Sequence, residues 1–368
     1  MTKKEISEIK TLFHISRCSI STISGCYVDA EKEKKSIFSN PFLSMDESAI
    51  FKYLEIFKKN LSGTIGKNLF NMDFPLLEEK DDGIQQLLMK LKSSKLQDKQ
   101  LLNKFYDQII ETYNCEGNYL ILLIHDVYDI PGKSMDMATL DDADEVYEYL
   151  MCMICPVALD KPGLSYDDSS NDFQAKHRDW TAGVPEIGFL FPAFDDRSAN
   201  IHSLLYHAKS GKTMHNEFIT DFLHCTPKQS SEDQKVSFTK IVERSLSDSC
   251  TFDTVKDIFS DINELCASSE NDESLVLGKS NMQALLQNHL DTDTEFLQAW
   301  EDVMDPVSDD ISISSVTTNG KCTIQMDNIE IKSENGYEQV IETQIINGRK
   351  CVVIPVEGEM SVNGIHIK

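Results

Sequence analysis

The dipeptide Asn-Gly occurs four times in the last sixty residues, and it constrains the fold more than any other feature of the chain. The pairs are Asn319-Gly320, Asn335-Gly336, Asn347-Gly348 and Asn363-Gly364. Asn-Gly favours the type I′ turn, because both central residues of that turn need positive φ and its geometry matches the twist of paired strands. Segments with alternating apolar residues run between the pairs. We therefore predict a β-meander over residues 311–368.

Upstream of this region the chain changes from strand-like to helix-like patterns. Residues 118–130 and 146–159 are apolar and strand-sized, while 188–194 and 200–208 flank a polar turn. Helical periodicity dominates residues 213–304. The pattern predicts an α+β fold, in which an antiparallel or mixed sheet has helices on one face, followed by a helical middle segment and the small C-terminal β-meander.

The same changes of pattern suggest the domain boundaries. A chain of 368 residues is expected to contain more than one domain. We predict an α+β sheet domain over 1–212, a helical segment over 213–304, an acidic linker over 305–310 and the meander over 311–368.

Composition limits the functions that the protein can have. The net charge of −26 would repel naked nucleic acid at long range. No apolar run approaches the ~20 residues that span a bilayer, and the first residues lack the apolar core of a signal peptide. The ten cysteines are scattered, which is typical of reduced thiols rather than of a disulfide framework. We expect a cytoplasmic protein without membrane contact.

The charge is distributed unevenly along the chain. Residues 1–67 contain 11 Lys and Arg against 8 Asp and Glu, a net charge of +3, so the remaining residues carry −29. Lys32, Lys34 and Lys35 lie in the polar turn of an N-terminal hairpin, alternating with two glutamates. These lysines are candidate binding residues, and nucleic acid could bind only through this hairpin.

Two short motifs resemble known sites but lack their required context. Cys152 and Cys155 form a C-x-x-C inside an apolar strand, where residues three apart point to opposite faces of the sheet. Residues 63–68 resemble a phosphate-binding loop, but with two residues between the glycines and Asn after the lysine. We therefore expect no cofactor and no metal.

Histidines and carboxylates near strand ends are the candidates for catalysis. His125 lies near the end of the 118–130 strand, Asp195 and Asp196 lie in a hairpin turn, and His202 lies in the segment that follows. If these residues converge, they could perform acid–base or metal-assisted hydrolysis. On their own, turn carboxylates and strand-edge histidines are ordinary surface residues.

Arg178 and Trp180 are the remaining candidate binding residues. They flank Asp179 in a loop before the predicted 188–194 strand. They could clamp a ligand, or they could form a local salt bridge with Trp180 as an apolar anchor.

Several strings of residues suggest a family. They include the segments 25–29, 117–126, 188–194, 201–206 and 347–351. The chain resembles, over nearly its full length, an uncharacterised family of bacterial proteins common in clostridia, classed as a domain of unknown function. This resemblance implies a bacterial cytosolic protein and assigns no activity to any residue.

Three classes of function stay open on sequence alone. The first is a non-enzymatic interaction or regulatory protein with a protein partner, which the acidic surface and the absence of an ordered catalytic motif favour. The second is a hydrolase-type enzyme built around His125 and His202. The third is an RNA- or ribosome-associated factor that uses the N-terminal hairpin.

Overall fold

The computed structural model describes residues 1–80, 82–131, 145–268, 276–290, 292–304, 310–318, 321–333, 341–356, 358, 360–362 and 365–367. The chain divides into two compact units, Met1–Ser230 and Ser231–Lys368. Within the described residues, no helix combines the length and the apolarity that crossing a membrane requires.

An antiparallel sheet forms the centre of the first unit. Its strands and those of the adjoining hairpins are β1 (Thr22–Val28), β2 (Lys34–Pro41), β3 (Leu69–Asp73), β4 (Asn118–Ile130), β5 (Glu145–Leu159), β6 (Leu164–Asp167), β7 (Asp172–Ala175), β8 (Trp180–Ala182), β9 (Ile187–Phe191), β10 (Ala193–Asp195), β11 (Ser198–Asn200) and β12 (Ser203–Ala208). The main sheet has the order β2-β1-β4-β5-β9-β12-β3, and β8 pairs with the end of β5. Two hairpins, β6–β7 and β10–β11, stand outside this sheet.

Helices cover both faces of the sheet. The α-helices of the first unit are α1 (Lys3–Leu12), α2 (Glu47–Asn60), α3 (Ile84–Ser93) and α4 (Lys99–Thr112), with 3₁₀ turns at Phe42–Ser44 and Leu76–Glu79 and a π-helix at Phe218–Phe222. One apolar cluster joins α3, α4 and the π-helix to one face. A second cluster joins α1 and α2 to the other face.

The α+β class and the antiparallel sheet confirm the prediction from the sequence, whereas the prediction of helices on one face needs correction. The reason lies in β4, where residues 119–124 are apolar at consecutive positions. Ile121 and Leu123 belong to the first cluster, and Leu122 and Ile124 to the second. A strand that is apolar on both faces must be covered on both, since either face would otherwise expose apolar surface to water.

The second unit contains helices followed by short strands. Its elements are α5 (Ser231–Leu246), a 3₁₀ turn (Ser247–Ser249), α6 (Phe252–Ser268), β13 (Val276–Leu277), α7 (Lys279–Leu286), α8 (Asp293–Val303), β14 (Ile311–Ser312), α9 (Ile313–Val316), β15 (Cys322–Met326), β16 (Ile329–Ser333), β17 (Glu342–Ile346), β18 (Arg349–Val353), β19 (Met360–Val362) and β20 (Ile365–Ile367). Phe238, Ile241, Ile262 and Trp300 are among the residues of its own core. Except for Asp310, the predicted acidic linker lies outside the described residues.

The C-terminal strands pair as three hairpins in the described residues, β15–β16, β17–β18 and β19–β20. Asn347-Gly348 forms the turn of the second hairpin, with φ of 53° at Asn347 and 75° at Gly348. The turn of the first hairpin is Asp327-Asn328, because Met326 pairs with Ile329. The other three Asn-Gly pairs lie outside the described residues, so the four-turn meander and the predicted domain boundaries stay predictions.

Candidate functional site: a groove between α2 and β8

Helix α2 forms one wall of a groove on the surface of the first unit. Asp46 caps the helix by accepting a hydrogen bond from the Ser48 backbone at 3.1 Å. Ile50, Leu54 and Phe57 form a buried stripe that packs on the sheet. Because this stripe holds one side of α2 against the core, a neighbouring side of the helix is left to line the groove.

The groove has a volume of about 890 Å³. Its lining comes from α1, α2, Ser62 (two residues after α2), β4 and the segment 181–184, which begins in β8. The apolar lining consists of Ala49, Tyr53, Ile56, Leu120, Ala182 and Val184, and the charged lining of Lys10, Lys52, Glu55, Lys58 and Lys59. Ligand sites of this kind have apolar walls and a few polar groups that orient the ligand.

A cluster of lysines lies at the end of the groove where α2 finishes. The Lys10 Nζ donates a hydrogen bond to Ser62 Oγ at 2.7 Å, and Ser62 Oγ donates to the Lys58 carbonyl. Burial lowers the pKa of Lys10, and the positive charges of Lys59 and Lys58 lower that pKa further. Neither Lys58 nor Lys59 forms an ion pair with any described residue. Among the described residues, the positive charge of Lys58 and Lys59 is therefore not balanced by an ion pair, although Glu55 of the same lining adds one negative charge.

Lysine 52 differs from this cluster because it has a partner. Its Nζ lies 3.0 Å from the Glu55 carboxylate, one turn further along α2, and both side chains are exposed. Such an exposed pair contributes little to stability, since water screens it. We therefore place the site at Lys10, Lys58 and Lys59.

The predicted binding residues Arg178 and Trp180 lie beside the groove and do not line it. Arg178 Nε donates to the Asp160 carbonyl at 2.6 Å. Trp180 begins β8, opposite Leu159 of β5, and it is 55% exposed. Thr181, the next residue, belongs to the groove lining. An exposed apolar side chain therefore adjoins one edge of the groove.

His125 is buried and held by a carboxylate. Its Nε2 lies 2.7 Å from Glu148 Oε1 on the neighbouring strand β5. Lys92 of α3 approaches the other oxygen of Glu148 at 3.8 Å. The Nδ1 of His125 is buried without a hydrogen-bond partner among the described groups. The whole residue His125 is only 1% exposed, so a substrate has no direct access to its imidazole.

Asp126, the next residue, forms a separate buried network on the opposite face. It accepts hydrogen bonds from the Ser19 hydroxyl, the Val127 backbone and the Tyr149 hydroxyl, each at 2.8 Å. Burial raises the pKa of Asp126, while these hydrogen bonds lower it in part. The network satisfies a buried carboxylate, which is a structural role.

The other catalytic candidates do not converge on His125. His202 is exposed, with its Nδ1 2.6 Å from Glu79 Oε1. β5 and β9 separate β4 from β12, so three spacings of about 4.8 Å place His125 and His202 roughly 14 Å apart across the sheet. Asp195 lies 3.9 Å from the N-terminal ammonium, and Asp196 occupies the exposed β10–β11 turn at φ 47°.

The three lysines of the N-terminal hairpin have intramolecular partners. Lys34 pairs with Asp107 at 2.6 Å, and Lys35 pairs with Asp29 at 2.7 Å and Glu33 at 3.1 Å. The Nζ of Lys32 donates to Asn114 Oδ1 at 3.1 Å. These contacts neutralise much of the charge that would attract an anion to this hairpin.

Cys152 and Cys155 lie on opposite faces of the sheet. Cys152 belongs to the apolar cluster of one face and Cys155 to that of the other. Burial raises the pKa of Cys155 to about 12 and that of Cys152 further. Both thiols therefore stay protonated near neutral pH, which makes them poor nucleophiles and poor metal ligands.

Sequence reasoning did not find the lysine cluster. The positive excess in residues 1–67 pointed to the N-terminal region, but it did not distinguish Lys58 and Lys59 from lysines with partners. Two lysines in the last turn of a helix are common, because they interact favourably with the helix dipole. Only the packing of α1 beside α2 shows that Lys10 joins them.

The fold and this site define a protein of the α+β class that has a lysine-lined apolar groove. A family model described as a domain of unknown function (DUF4317) matches residues 1–365, and the chain belongs to this family. The resemblance to an uncharacterised family over nearly the full length is thereby confirmed. The comparison with curated proteins finds no match.

Proposed function

We propose that the protein is a non-enzymatic, cytosolic binding protein that takes an anionic partner in the groove between α2 and β8. The observation that carries the proposal is the cluster of Lys10, Lys58 and Lys59 beside apolar walls. In a chain with a net charge of −26, ammonium groups are usually balanced by nearby carboxylates. A group of lysines without such partners is a local site for an anion.

The state of Lys10 supports an anionic occupant. Its pKa is lowered because its ammonium is partly removed from water and repelled by Lys59 and Lys58. An anion bound among these lysines would reverse that repulsion and raise the pKa again. The free energy gained by this change would favour binding.

The positions of the other candidates support a binding role over an enzymatic one. His125 is buried and paired with Glu148, and it lies far from His202. Lys34 and Lys35, the basis of the RNA alternative, are already paired with carboxylates. The groove, by comparison, is open to solvent, and Lys58 and Lys59 in its lining form no ion pair in the described part of the chain.

The thiols support the proposed cytosolic location. None of the ten cysteines, all of which lie among the described residues, forms a disulfide. Cys26 and Cys225 are buried, and burial raises the pKa of Cys26 to about 11 and that of Cys225 to about 12. Unpaired thiols fit a reducing compartment.

The test is the binding of anilinonaphthalene sulfonate, a small apolar anion that fluoresces in apolar surroundings. We expect the full-length protein to bind it, and the double variant Lys58→Gln/Lys59→Gln to bind it at least about tenfold more weakly, a loss of roughly 1.4 kcal/mol. The matched control is Lys99→Gln/Lys104→Gln on α4, which removes equal charge from a helix on the opposite face of the sheet. Equal affinity in all three proteins would contradict the proposal.

A further inference from the structure

Resting on the proposed function, we infer from the geometry that the groove binds a free amphiphile with one apolar chain and a carboxylate or phosphate head. The head lies among Lys10, Lys58 and Lys59, and the chain lies along the apolar walls. The family description assigns no ligand to this groove.

The size of the groove fits one small molecule. Its volume of about 890 Å³ lies within the ~300–1,000 Å³ typical of small-molecule sites. A macromolecule would instead need a surface of ~800 Å² on each partner, well beyond this lining. The groove therefore favours a small ligand over a protein segment.

The length of the groove favours an extended chain. The lining residues of α2 run from Ala49 to Lys59, which corresponds to about 15 Å of helix at 1.5 Å per residue. Ala49 and Tyr53 line it towards the start of α2, and Lys58 and Lys59 line it at the end. Lys52 and Glu55, which pair with each other, lie between the apolar residues of this wall. The lysines without an ion pair among the described residues lie at one end of the groove, as the charged head lies at one end of an amphiphile.

The apolar walls supply the surface for the chain. Ile56 and Tyr53 come from α2, Leu120 from β4, and Ala182 and Val184 from the opposite wall. Val184 is 39% exposed, so a chain beside it would remove apolar surface from water. Tyr53 is half-buried and stacks on Phe57 at 6.2 Å between ring centroids, which gives the wall a fixed shape.

The lysines supply the charge for the head. Lys10 is fixed by its hydrogen bond to Ser62, and an ammonium can donate up to three hydrogen bonds. It therefore keeps donors for an oxygen of the ligand. Lys58 and Lys59 add charge without a competing carboxylate among the described residues.

The experiment uses isothermal titration of the full-length protein with sodium dodecanoate and dodecyl phosphate, below the concentrations at which they form micelles. Dodecanol lacks the charged head and inorganic phosphate lacks the apolar chain, so these two compounds test the contributions of the chain and of the head separately. We expect both long-chain anions to bind one per protein, at least about tenfold more tightly than dodecanol or inorganic phosphate. Higher salt should weaken the binding of the anions.

Substitutions in the groove test where the head and the chain of the ligand bind. Lys58→Gln/Lys59→Gln should weaken dodecanoate at least about tenfold and leave dodecanol unchanged. Val184→Ser should weaken the binding of every long-chain probe, whereas Val236→Ser, at a valine of α5 with similar exposure (45% against 39%), should weaken none. Lys99→Gln/Lys104→Gln is again the charge control.

The outcomes that overturn the inference differ from those that overturn the proposed function. If inorganic phosphate binds as tightly as dodecyl phosphate, the apolar chain does not contribute to binding. If dodecanol binds as tightly as dodecanoate, the anionic head does not contribute. Either result contradicts an amphiphilic ligand. Binding only to anionic vesicles would replace the free amphiphile by a membrane surface. If anilinonaphthalene sulfonate binds through the groove but dodecanoate does not displace it, the inference fails and the proposed function stands. Release of inorganic phosphate from dodecyl phosphate would contradict the non-enzymatic role.

Discussion

Gly188 lies directly beneath the amide of Asn60, so closely that a Cβ at position 188 would stand 2.1 Å from Asn60 Oδ1. The same Cβ would stand 2.5 Å from the carbonyl oxygen of Cys152. Asn60 is the last residue of α2, and Gly188 belongs to the central strand β9. This contact sets how closely the end of α2, with Lys58 and Lys59, approaches the sheet.

Replacement of Gly188 by alanine should therefore destabilise the protein. The added methyl group meets backbone on one side, which cannot rotate away, so we expect a loss of about 1–3 kcal/mol. Urea unfolding of the wild type and Gly188→Ala measures it. Gly163→Ala is the control, because a Cβ there meets nothing within 4 Å, and its effect should stay within about 0.5 kcal/mol. An unchanged midpoint for Gly188→Ala would show that α2 moves freely over β9.

The hydroxyl of Tyr149 should stabilise the charged form of Asp126. Tyr149→Phe removes one of the hydrogen bonds that lower the pKa of this buried carboxyl. We expect a loss of about 1.5–3 kcal/mol at neutral pH, the range for a hydrogen bond to a charged group. The exposed Tyr166, whose hydroxyl bonds to Asn171, provides the control variant Tyr166→Phe.

The pH dependence separates this effect from lost packing. The pKa of Asp126 is raised in the folded protein, so its ionisation weakens the fold as pH rises from below its ordinary value of 3.8 through the raised pKa. Without the Tyr149 hydroxyl the pKa should rise further. The difference in unfolding free energy between wild type and Tyr149→Phe should therefore shrink towards acidic pH. A difference that is constant with pH would assign the loss to packing.

His207 should make the protein sensitive to acid. It is buried, and burial lowers the pKa of its imidazole from the ordinary 6.5 to about 4, against the opposing effect of a hydrogen bond to the Pro185 backbone. The unfolded chain takes up a proton below pH 6.5 and the folded protein does not, so stability falls as pH decreases from about 6.5 to about 4. The full effect corresponds to roughly 3 kcal/mol.

The variant His207→Gln tests this assignment. Urea unfolding between pH 7 and pH 4 should show a shallower loss of stability in the variant than in the wild type, whatever its stability at pH 7. His177→Gln, at an exposed histidine, should retain the slope of the wild type. If the unfolding free energies of the wild type and His207→Gln fall with the same slope as the pH decreases, His207 is not the source of the acid sensitivity.

The turn at Asn347-Gly348 should require its glycine because of the backbone conformation and not because of packing. Gly348 has φ of 75°, and a Cβ there meets nothing within 4 Å. Gly348→Ala should destabilise the hairpin by about 1–2 kcal/mol, because alanine is strained in the left-handed conformation that Gly348 adopts. Faster hydrogen exchange of β17–β18 amides, such as those of Gln344 and Cys351, measures the loss. Gly358→Ala, at a glycine without positive φ, should leave that exchange unchanged.

Much of the local structure could be predicted from the sequence, because it depends on neighbouring residues. The strand predicted at 118–130 is β4, with the same limits, and the segment predicted at 146–159 is β5 from Glu145 to Leu159. Apolar periodicity and turn residues encode such elements within a short window.

The candidate site could not be predicted from local sequence patterns. The lysines of the hairpin at 32–35 and the lysines at 58–59 look alike in the sequence. Tertiary contacts pair the first group with Asp107 and Asp29, and they bring the second group beside Lys10 without an ion pair to any residue that the structure describes. Whether a charge is free to bind depends on groups that are distant in the chain, and a pattern read along the chain does not contain those distances.

By itself, the sequence therefore determined the acidic character, the strands and helices, the antiparallel α+β class and the Asn-Gly turn at 347–348. The tertiary structure alone decided that helices cover both faces of the sheet, that His125 and His202 stay apart, and that α1, α2 and β8 enclose a groove with unpaired lysines. The physical reason is that hydrogen bonding within an element is local, whereas burial and electrostatic balance are set by residues that only folding brings into contact.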